Sequence, residues 1–330
     1  MPDIMTVIVV VLALSFDYIN GFHDTANAIA TSVSTRALTP RAAIWLSTAL
    51  NITGAMYSTG VAKTIGGDIV KSAQMVNEEI IIAAMIGAIA WNLLTWWLGI
   101  PSSSSHALIG GMIGAVAVSR GFAALKFEGI SKMVAALIVS PLIAMVLGLI
   151  IMTVIFWLIK DTPHSKLNPH FKKLQILSAA MMSFSHGSND AQKSMGIITL
   201  TLVSAGWLPS LEVPLWVKLA AATSMGLGTA AGGWRIIRTM GGKIFKLEPV
   251  SGFAADLNSS ITIFGATLLH LPVSTTHVVS GSIMGVGTAK RVSAVRWGVA
   301  EQMLTAWVLT IPSTALVSGI AYKIINFVFF

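Results

Sequence analysis

A short run of hydroxyl residues between a proline and a histidine occurs twice in this chain, and this repetition constrains the fold most strongly. The first copy reads Pro-Ser-Ser-Ser-Ser-His at residues 101–106, and the second reads Pro-Val-Ser-Thr-Thr-His at residues 272–277. The copies align without a gap over fourteen residues, with glycines at matching positions such as Gly110 and Gly281. A duplicated segment of this kind predicts that the chain is built from two copies of one structural unit.

Composition places these two units in a membrane. Hydrophobic residues make up 55% of the 330 residues, charged residues only 10%, and the mean hydropathy is +0.79. The charges cluster between long apolar runs, and a run of about 20 apolar residues crosses a bilayer as a helix. We therefore expect an all-α polytopic protein with about 10–12 transmembrane segments, located as a multi-pass protein in the cell (inner) membrane.

The charged residues and the missing motifs exclude several other classes of protein. The net charge of +8 comes from Lys and Arg in short loops, which record orientation in a membrane protein, so nucleic-acid binding is not expected. Without cysteine, the chain has neither disulfides nor thiolate metal sites. The nucleotide-binding pattern Gly-x-x-x-x-Gly-Lys-Ser/Thr does not occur, so any energy that the protein uses must come from an ion gradient or a partner chain.

The repetition divides the chain into two halves. Residues 1–160 form the first predicted repeat, residues 161–173 a polar connector, and residues 174–330 the second repeat. An odd number of crossings per repeat would invert the second copy relative to the first, which agrees with the distribution of basic residues among the loops. Such inverted-topology repeats, with broken helices or re-entrant hairpins meeting at the bilayer midplane, are the architecture of many secondary transporters. A re-entrant hairpin at either Ser/Thr stretch would change the parity of the crossings.

A second matched pair of segments places carboxylates inside apolar spans. Asp24 and Asp190 align at an offset of 166 residues, and each follows a glycine, Gly21 or Gly187, by three residues. A charged carboxylate at membrane depth costs about 2.5–3.5 kcal/mol on insertion scales, so each one needs a partner. The glycines predict an unwound turn whose free carbonyls would join the carboxylate as ligands.

These features predict neighbouring sites for a cation and an anion. Oxygen ligands from carboxylates, amides, hydroxyls and carbonyls suit a hard cation, which we expect at Asp24 and Asp190. A hydroxyl-rich turn that opens a helix offers N–H and O–H donors to an anion, and the two charges would offset each other at this depth. An alternative interpretation is that the acids pair with His23, His186 or Lys193 as structural contacts.

The paired motifs resemble those of the inorganic phosphate transporter (PiT) family. The similarity rests on Gly-Phe-His-Asp-Thr-Ala-Asn-Ala at residues 21–28, on His-Gly-Ser-Asn-Asp-Ala-Gln-Lys-Ser-Met-Gly at residues 186–196 and on both hydroxyl turns. It covers essentially the whole chain. It implies a symporter that takes up inorganic phosphate by alternating access, coupled to Na⁺ or H⁺, with no cofactor and no enzymatic activity.

Two features of the resemblance leave parts of this function open. Family members commonly read Gly-Ala-Asn-Asp where this chain has Gly-Phe-His-Asp at residues 21–24. Na⁺ is the expected coupling ion, and H⁺ is the alternative because His23 can titrate where Asn cannot. The family also includes sulfate carriers, so a sulfate/H⁺ symporter of the same fold is the alternative assignment. The resemblance is compatible with a homodimer.

Carried over position by position, the resemblance implies two sets of ligands. The implied phosphate-binding residues are Ser104, Ser105, Thr275, Thr276, Thr25 and Gln192. The implied Na⁺ ligands are Asp24, Asn27, Asn189, Asp190, Ser103, Ser185 and Ser274. Inorganic phosphate, Na⁺ and the lipid bilayer are therefore the expected partners.

Three residues near these motifs admit more than one interpretation. Lys193 aligns with Asn27 at the offset of 166 residues, and it could replace a cation, contact phosphate or snorkel to the interface. His106 and His277 follow the hydroxyl turns, which raises the alternative of an intramembrane Ser/His hydrolase. Such an enzyme needs a third, orienting acid, so capping or packing is favoured for both histidines.

Asp256 and Asp17 are two further acids within or beside the apolar spans. We expect Asp256, at the start of a span, to be interfacial, whereas Asp17 fits either site support or helix packing. A passive anion channel is disfavoured, because buried acids would repel anions unless cations were bound.

Overall fold

The chain folds into helices joined by short loops. The computed structural model describes residues 4–329; residues 1–3 and 330, which the predicted repeat boundaries include, lie outside the described residues. No strand occurs within residues 4–329, so the all-α prediction is confirmed. In chain order the α-helices are α1 (Ile4–Ser34), α2 (Pro40–Ala55), α3 (Gly60–Asp68), α4 (Glu78–Leu98), α5 (Ser104–Arg120), α6 (Phe127–Ile159), α7 (His164–Asp190), α8 (Gln192–Ser204), α9 (Leu215–Ala231), α10 (Trp234–Gly242), α11 (Pro249–Leu268), α12 (Thr275–Lys290) and α13 (Trp297–Phe329).

Four of the described helices, α1, α4, α6 and α13, are long and apolar enough to cross a membrane. Large exposed apolar side chains, such as Val308 and Phe327 on α13, are typical of a surface in contact with lipid. Other helices are shorter or more polar, because several of them carry the buried polar residues at the centre of the molecule. The count of about 10–12 transmembrane segments stays a prediction.

The order of helices in the second half repeats that of the first. The series α4, α5 and α6 has its counterpart in α11, α12 and α13, and α5 and α12 begin at Ser104 and Thr275, aligned residues of the hydroxyl turns. The packing partners exchange between the halves: α6 packs against α12 and α13 against α5, while α9 packs against α1 and α2 against α7. The two halves therefore interlock, with helices of each half packed against helices of the other.

The glycines beside the two acids serve helix packing. A Cβ at Gly21 would overlap backbone atoms of Gly228 in α9, and a Cβ at Gly187 would overlap backbone atoms of Asn51 in α2. Both glycines lie inside regular helix, because α1 is uninterrupted over Ile4–Ser34 and α7 continues to its end after Gly187. The prediction of an unwound turn is therefore wrong: the missing side chains instead let two pairs of helices approach each other closely.

Glycines after each hydroxyl turn have the same effect on packing. A Cβ at Gly110 would overlap the backbone of Ile311 in α13, and a Cβ at Gly281 would overlap the backbone of Pro141 in α6. Both α6 and α13 stay helical through their central prolines, Pro141 and Pro312. These close crossings hold α5 and α12 firmly and so position the two turns relative to each other.

The second half begins with a helix. α7 starts inside the predicted connector of residues 161–173, so most of that connector is helical. α7 ends at Asp190 and α8 begins at Gln192. The residue between them, Ala191, has φ −65° and ψ −20°, which are helical values, so the interruption is slight.

Candidate functional site

The two hydroxyl turns meet at the centre of the molecule. Ser105 Oγ donates a hydrogen bond of 2.8 Å to the carbonyl oxygen of Val273, which belongs to the other turn. The imidazole rings of His106 and His277 lie 4.6 Å apart between centroids. The N-terminal ends of α5 and α12, 171 residues apart in the sequence, therefore lie side by side, and both contribute free backbone N–H groups.

Ser103 and Ser274 are the N-cap residues of these two helices. Ser103 Oγ accepts a hydrogen bond of 3.1 Å from the backbone N–H of His106, and Ser274 Oγ accepts one of 3.3 Å from that of His277. Serine is favoured at this position because its oxygen satisfies an N–H that the helix leaves unpaired. Both predicted cation ligands thus have a structural role at the start of their helices.

Asp24 on α1 connects the two turns. Its carboxylate accepts a hydrogen bond of 3.1 Å from Ser104 of the first turn and one of 3.3 Å from Thr276 of the second. A third contact comes from His23, whose Nδ1 lies 2.6 Å from Asp24 Oδ1 and whose Nε2 lies 3.1 Å from Thr95 Oγ1. The carboxylate is buried, with 1% of the residue exposed, so it depends on such protein donors.

Asp190 at the end of α7 has a different set of partners. Thr275 donates a hydrogen bond of 3.1 Å to Asp190 Oδ2, and Asn20 donates one of 3.4 Å to the same oxygen. His186 Nε2 lies 3.4 Å from Oδ2, and Lys193 Nζ forms an ion pair of 3.0 Å with Oδ1. All five side chains are buried. The second acid therefore has a lysine as a close neighbour.

A cation could be held by this arrangement of oxygen and nitrogen atoms. Ligand atoms of Asp24, His186 and Asp190 all lie within 4.8 Å of one another. Asn27 donates to Thr276 at 2.9 Å, but its own carbonyl oxygen Oδ1 is buried without a hydrogen-bond partner. A buried amide oxygen without a partner is costly, and it is a ligand of the kind that hard cations prefer.

Asn20 is not among the predicted site residues, although it opens the first acidic motif. Its amide nitrogen contacts Asp190 of the other half, and its Oδ1, like that of Asn27, is buried without a partner. Asn20 precedes Asp24 by four residues, so both side chains lie on the same helix face, and this spacing could have predicted that Asn20 belongs to the site.

Four of the predicted site residues form no hydrogen bond with Asp24 or Asp190 in the part of the chain that the structure describes. Thr25 donates to the carbonyl of Gly21 in its own helix, at 2.5 Å. Gln192 donates to the carbonyl of Ser188 and accepts from the N–H of Ala62, which ties α8 to α3. The remaining two hydrogen-bond to neither acid. Asn189 donates to Thr267 and to the carbonyl of Leu271, and its Oδ1 accepts a hydrogen bond of 3.4 Å from the backbone N–H of Val273 in the second hydroxyl turn. Ser185 lines an apolar cavity with Phe184 and Phe264.

Lys193 does not snorkel to the interface. Its side chain is fully buried, and Nζ donates a hydrogen bond of 2.8 Å to Ser104 Oγ in addition to its ion pair with Asp190. A snorkelling lysine would extend its ammonium into water, so that interpretation is wrong.

The two further acids are both buried. Asp256 accepts a hydrogen bond of 2.6 Å from Thr31 of α1, so the prediction of an interfacial position is wrong. This donor, which lies far away in the sequence, replaces the water that the carboxyl group loses on burial. Asp17 accepts a hydrogen bond from Ser194, the residue after Lys193, and so supports the start of α8 beside the centre.

The two histidines pack against each other and against an aromatic ring. His277 stacks on Trp307 at 3.7 Å between centroids, and His106 Nδ1 lies 2.7 Å from Ser103 Oγ. Among the described residues, no carboxylate hydrogen-bonds to either ring. A hydrolytic triad needs such an acid to orient the histidine, so the packing interpretation is favoured over the hydrolase.

Facing helix N-termini, buried acids and interlocked halves in an all-helical, apolar chain are the construction of a membrane transporter. The model of the Phosphate transporter family matches residues 20–318, and the chain belongs to this family. The predicted resemblance is thus confirmed, and so is the prediction that the protein is not an enzyme.

Curated relatives and a solved structure agree over nearly the whole chain. A "Probable low-affinity inorganic phosphate transporter" of Bacillus subtilis (strain 168) is 55% identical over 328 residues, covering 99% of this chain and 98% of the relative. A protein of the same description from Rhizobium meliloti (strain 1021) is 47% identical, covering 95% and 94%. The structure titled "The sodium-dependent phosphate transporter" matches with a TM-score of 0.87 and 27% identity, covering 98% of this chain and all of that one.

Proposed function

We propose that this protein takes up inorganic phosphate across the cell membrane by Na⁺ symport. The observation that carries the proposal is the pair of buried acids, Asp24 and Asp190, each hydrogen-bonded by hydroxyls of the facing turns. Family membership supports phosphate as the substrate. The solved structure of similar fold supports Na⁺ as the coupling ion, since it is described as sodium-dependent.

The phosphate would bind at the converging ends of α5 and α12. Helix N-termini carry free N–H groups and the positive end of the helix dipole, both of which favour an anion. Ser104, Ser105, Thr275 and Thr276 add four hydroxyl donors at the same place. Donors that come from both halves would hold the anion between them.

The Na⁺ would bind beside the phosphate, at the carboxylates. Asp24 supplies negative charge, and the unpartnered amide oxygens of Asn20 and Asn27 supply neutral oxygen ligands on the same helix. A set of carboxylate and amide oxygens matches the preference of a hard cation.

Coupling follows from shared donors and opposite charge. Ser104 and Thr276 donate to the Asp24 carboxylate, and the same hydroxyls are candidate donors to phosphate. A Na⁺ on the carboxylate would offset its charge and compete for its oxygen lone pairs, which favours donation of the hydroxyls to phosphate. Each ion would then raise the affinity for the other, which is the coupling free energy of symport.

The duplicated halves would supply the alternating access. We assign residues 1–160 and 174–330 to two repeats of inverted topology, joined by residues 161–173. The exchange of packing partners supports this assignment. α6 of the first half packs against α12, and α13 of the second half packs against α5, so each half contacts the helix that follows the hydroxyl turn of the other half. A relative motion of the two units would open the centre to one side of the membrane at a time.

Uptake into proteoliposomes tests the proposal directly. Radiolabelled phosphate uptake is measured with a Na⁺ gradient and a pH gradient imposed separately. We expect the Na⁺ gradient alone to drive accumulation and excess sulfate to compete poorly. Accumulation driven by the pH gradient alone would instead assign H⁺ as the coupling ion, and equal competition by sulfate would contradict selectivity for phosphate.

A further inference from the structure

The two halves carry different groups at matched positions next to the acids. Asn27 lies three residues after Asp24, and Lys193 lies three residues after Asp190. Each reaches the hydroxyl turn of the opposite half: Asn27 Nδ2 lies 2.9 Å from Thr276 Oγ1, and Lys193 Nζ lies 2.8 Å from Ser104 Oγ. The duplication therefore places a neutral amide on one side of the centre and an ammonium on the other.

The surroundings of Lys193 are those of a cation site. Its ammonium is fully buried, lies 3.0 Å from the Asp190 carboxylate and donates to a hydroxyl oxygen. A buried charge of this kind is tolerated only when it is paired and hydrogen-bonded, and both conditions are met here. Carboxylate and hydroxyl oxygens are also the ligands that a bound Na⁺ would take.

Asp24 has no comparable partner. Among the described residues, no lysine or arginine forms an ion pair with it, and its close basic contact is the His23 ring at 2.6 Å. Of the two matched acids, Asp190 is thus paired with a fixed ammonium, while the charge of Asp24 is available to a mobile cation.

We propose that the Lys193 ammonium is a built-in replacement for one coupling cation, so that Na⁺ fills only the position around Asp24 and Asn27. This inference rests on the proposed Na⁺-coupled uptake. Its consequence is a stoichiometry: this transporter moves one Na⁺ fewer per phosphate than the same chain with a neutral oxygen ligand at residue 193.

A Lys193→Asn variant tests this consequence, because it restores at residue 193 the side chain of the matched position. In proteoliposomes at zero membrane potential and equal pH on both sides, the Na⁺ gradient that just balances a fixed phosphate gradient gives the number of Na⁺ per phosphate. This balance point does not depend on turnover rate. We expect the number to rise by one in Lys193→Asn and to stay at the wild-type value in Lys193→Arg.

The matched control is Lys63→Asn, which removes an exposed lysine paired with Glu212 and not with either buried acid; its ratio should equal that of the wild type. An unchanged ratio in Lys193→Asn would overturn the inference, and an unchanged ratio with weaker phosphate affinity would assign Lys193 to direct contact with phosphate. If Lys193→Asn transports too slowly to measure, equilibrium binding of radiolabelled Na⁺ replaces uptake, and a failure to bind one additional ion overturns the inference. Wild-type protein without Na⁺-driven uptake would overturn the proposed function itself.

Discussion

Ser104 donates a hydrogen bond of 3.1 Å to the carboxylate of Asp24, across 80 residues of chain. Thr276, which belongs to the other half, donates to the same carboxylate at 3.3 Å. The Asp24 carboxylate on α1 therefore accepts a hydrogen bond from each of the two hydroxyl turns. A change at Asp24 should affect the cation directly and the anion through the turns.

Asp24→Asn should abolish Na⁺-driven phosphate uptake without removing the protein from the membrane. Ser104 and Thr276 donate to different oxygens of the carboxylate. The amide keeps one of these two acceptors and has almost the same shape, so we expect the fold to be retained, but the negative charge that attracts Na⁺ is lost. Uptake should fall at least about tenfold, which corresponds to a loss of about 1.4 kcal/mol in cation binding. The measurement is the initial rate of uptake, corrected for the amount of protein in the membrane.

The control for this variant is Asp68→Asn. Asp68 is an acid at the end of α3 that is partly exposed, and its ion-pair partner is Lys126, which belongs to neither turn. Its loss should leave the rate of uptake near that of the wild type. If Asp24→Asn also transports at the wild-type rate, the assignment of the cation to Asp24 is wrong.

Replacing one hydroxyl on each turn should weaken phosphate binding more than Na⁺ binding. In Ser105→Ala with Thr276→Ala, each lost hydrogen bond to a charged group costs about 1.5–3 kcal/mol, so phosphate affinity should fall by more than tenfold. Calorimetric titration with phosphate and with Na⁺ measures the two affinities separately. Thr288→Ala on α12 is the control, since Thr288 donates only to the carbonyl of Met284 in its own helix. Equal losses for both ions would mean that the turns are only scaffold.

Gly187→Ala should lower the stability of the folded protein, because the added Cβ would meet the backbone of Asn51 in α2. Overpacking of this kind typically costs about 1–3 kcal/mol. Gly265→Ala is the matched control: Gly265 also lies inside a helix, α11, but nothing lies within 4 Å of an added Cβ. Thermal unfolding in detergent should therefore show a lower midpoint for Gly187→Ala only. Equal midpoints would contradict the packing role of this glycine.

The sequence was sufficient to predict the all-α class, the duplication and the meeting of the acids with the turns. These features depend on repeated patterns, and Thr275 does contact Asp190 as its match Ser104 contacts Asp24. The pattern could not establish what the glycines do, because a glycine next to an acid is equally typical of an unwound turn and of close helix packing. Only the position of α9 beside Gly21 distinguishes the two.

Other differences arise because sequence position does not determine the direction of a side chain. Asp256 is buried, and its hydrogen-bond donor Thr31 is 225 residues away. The local sequence around Asp256 therefore could not predict this partner. Gln192 lies in the acidic motif, yet it contacts the N–H of Ala62 and not the hydroxyl turns. The family pattern indicates which positions belong to the site, but it does not indicate what each side chain contacts. The packing of α3 against α8 brings Ala62 to Gln192 and so determines the hydrogen bond that Gln192 forms.

His23→Asn distinguishes Na⁺ coupling from H⁺ coupling at the residue where this chain departs from the family pattern. An Asn at this position can still donate an amide N–H toward Asp24, but it cannot carry a proton at neutral pH. If Na⁺ is the coupling ion, uptake driven by the Na⁺ gradient should fall by less than about tenfold, because weakening one hydrogen bond costs about 1 kcal/mol. The measurement is phosphate uptake under separate Na⁺ and pH gradients.

The control is His270→Asn, which changes an exposed histidine in the loop between α11 and α12. This variant should match the wild type under both gradients. If His23→Asn abolishes uptake while His270→Asn does not, the imidazole itself takes part in coupling. His23 bridges Asp24 and Thr95 through its two nitrogens, so a proton held there would share its charge with the acid that we assign to Na⁺. H⁺ is assigned as the coupling ion at this carboxylate only if the wild type accumulates phosphate under the pH gradient alone and His23→Asn loses that accumulation.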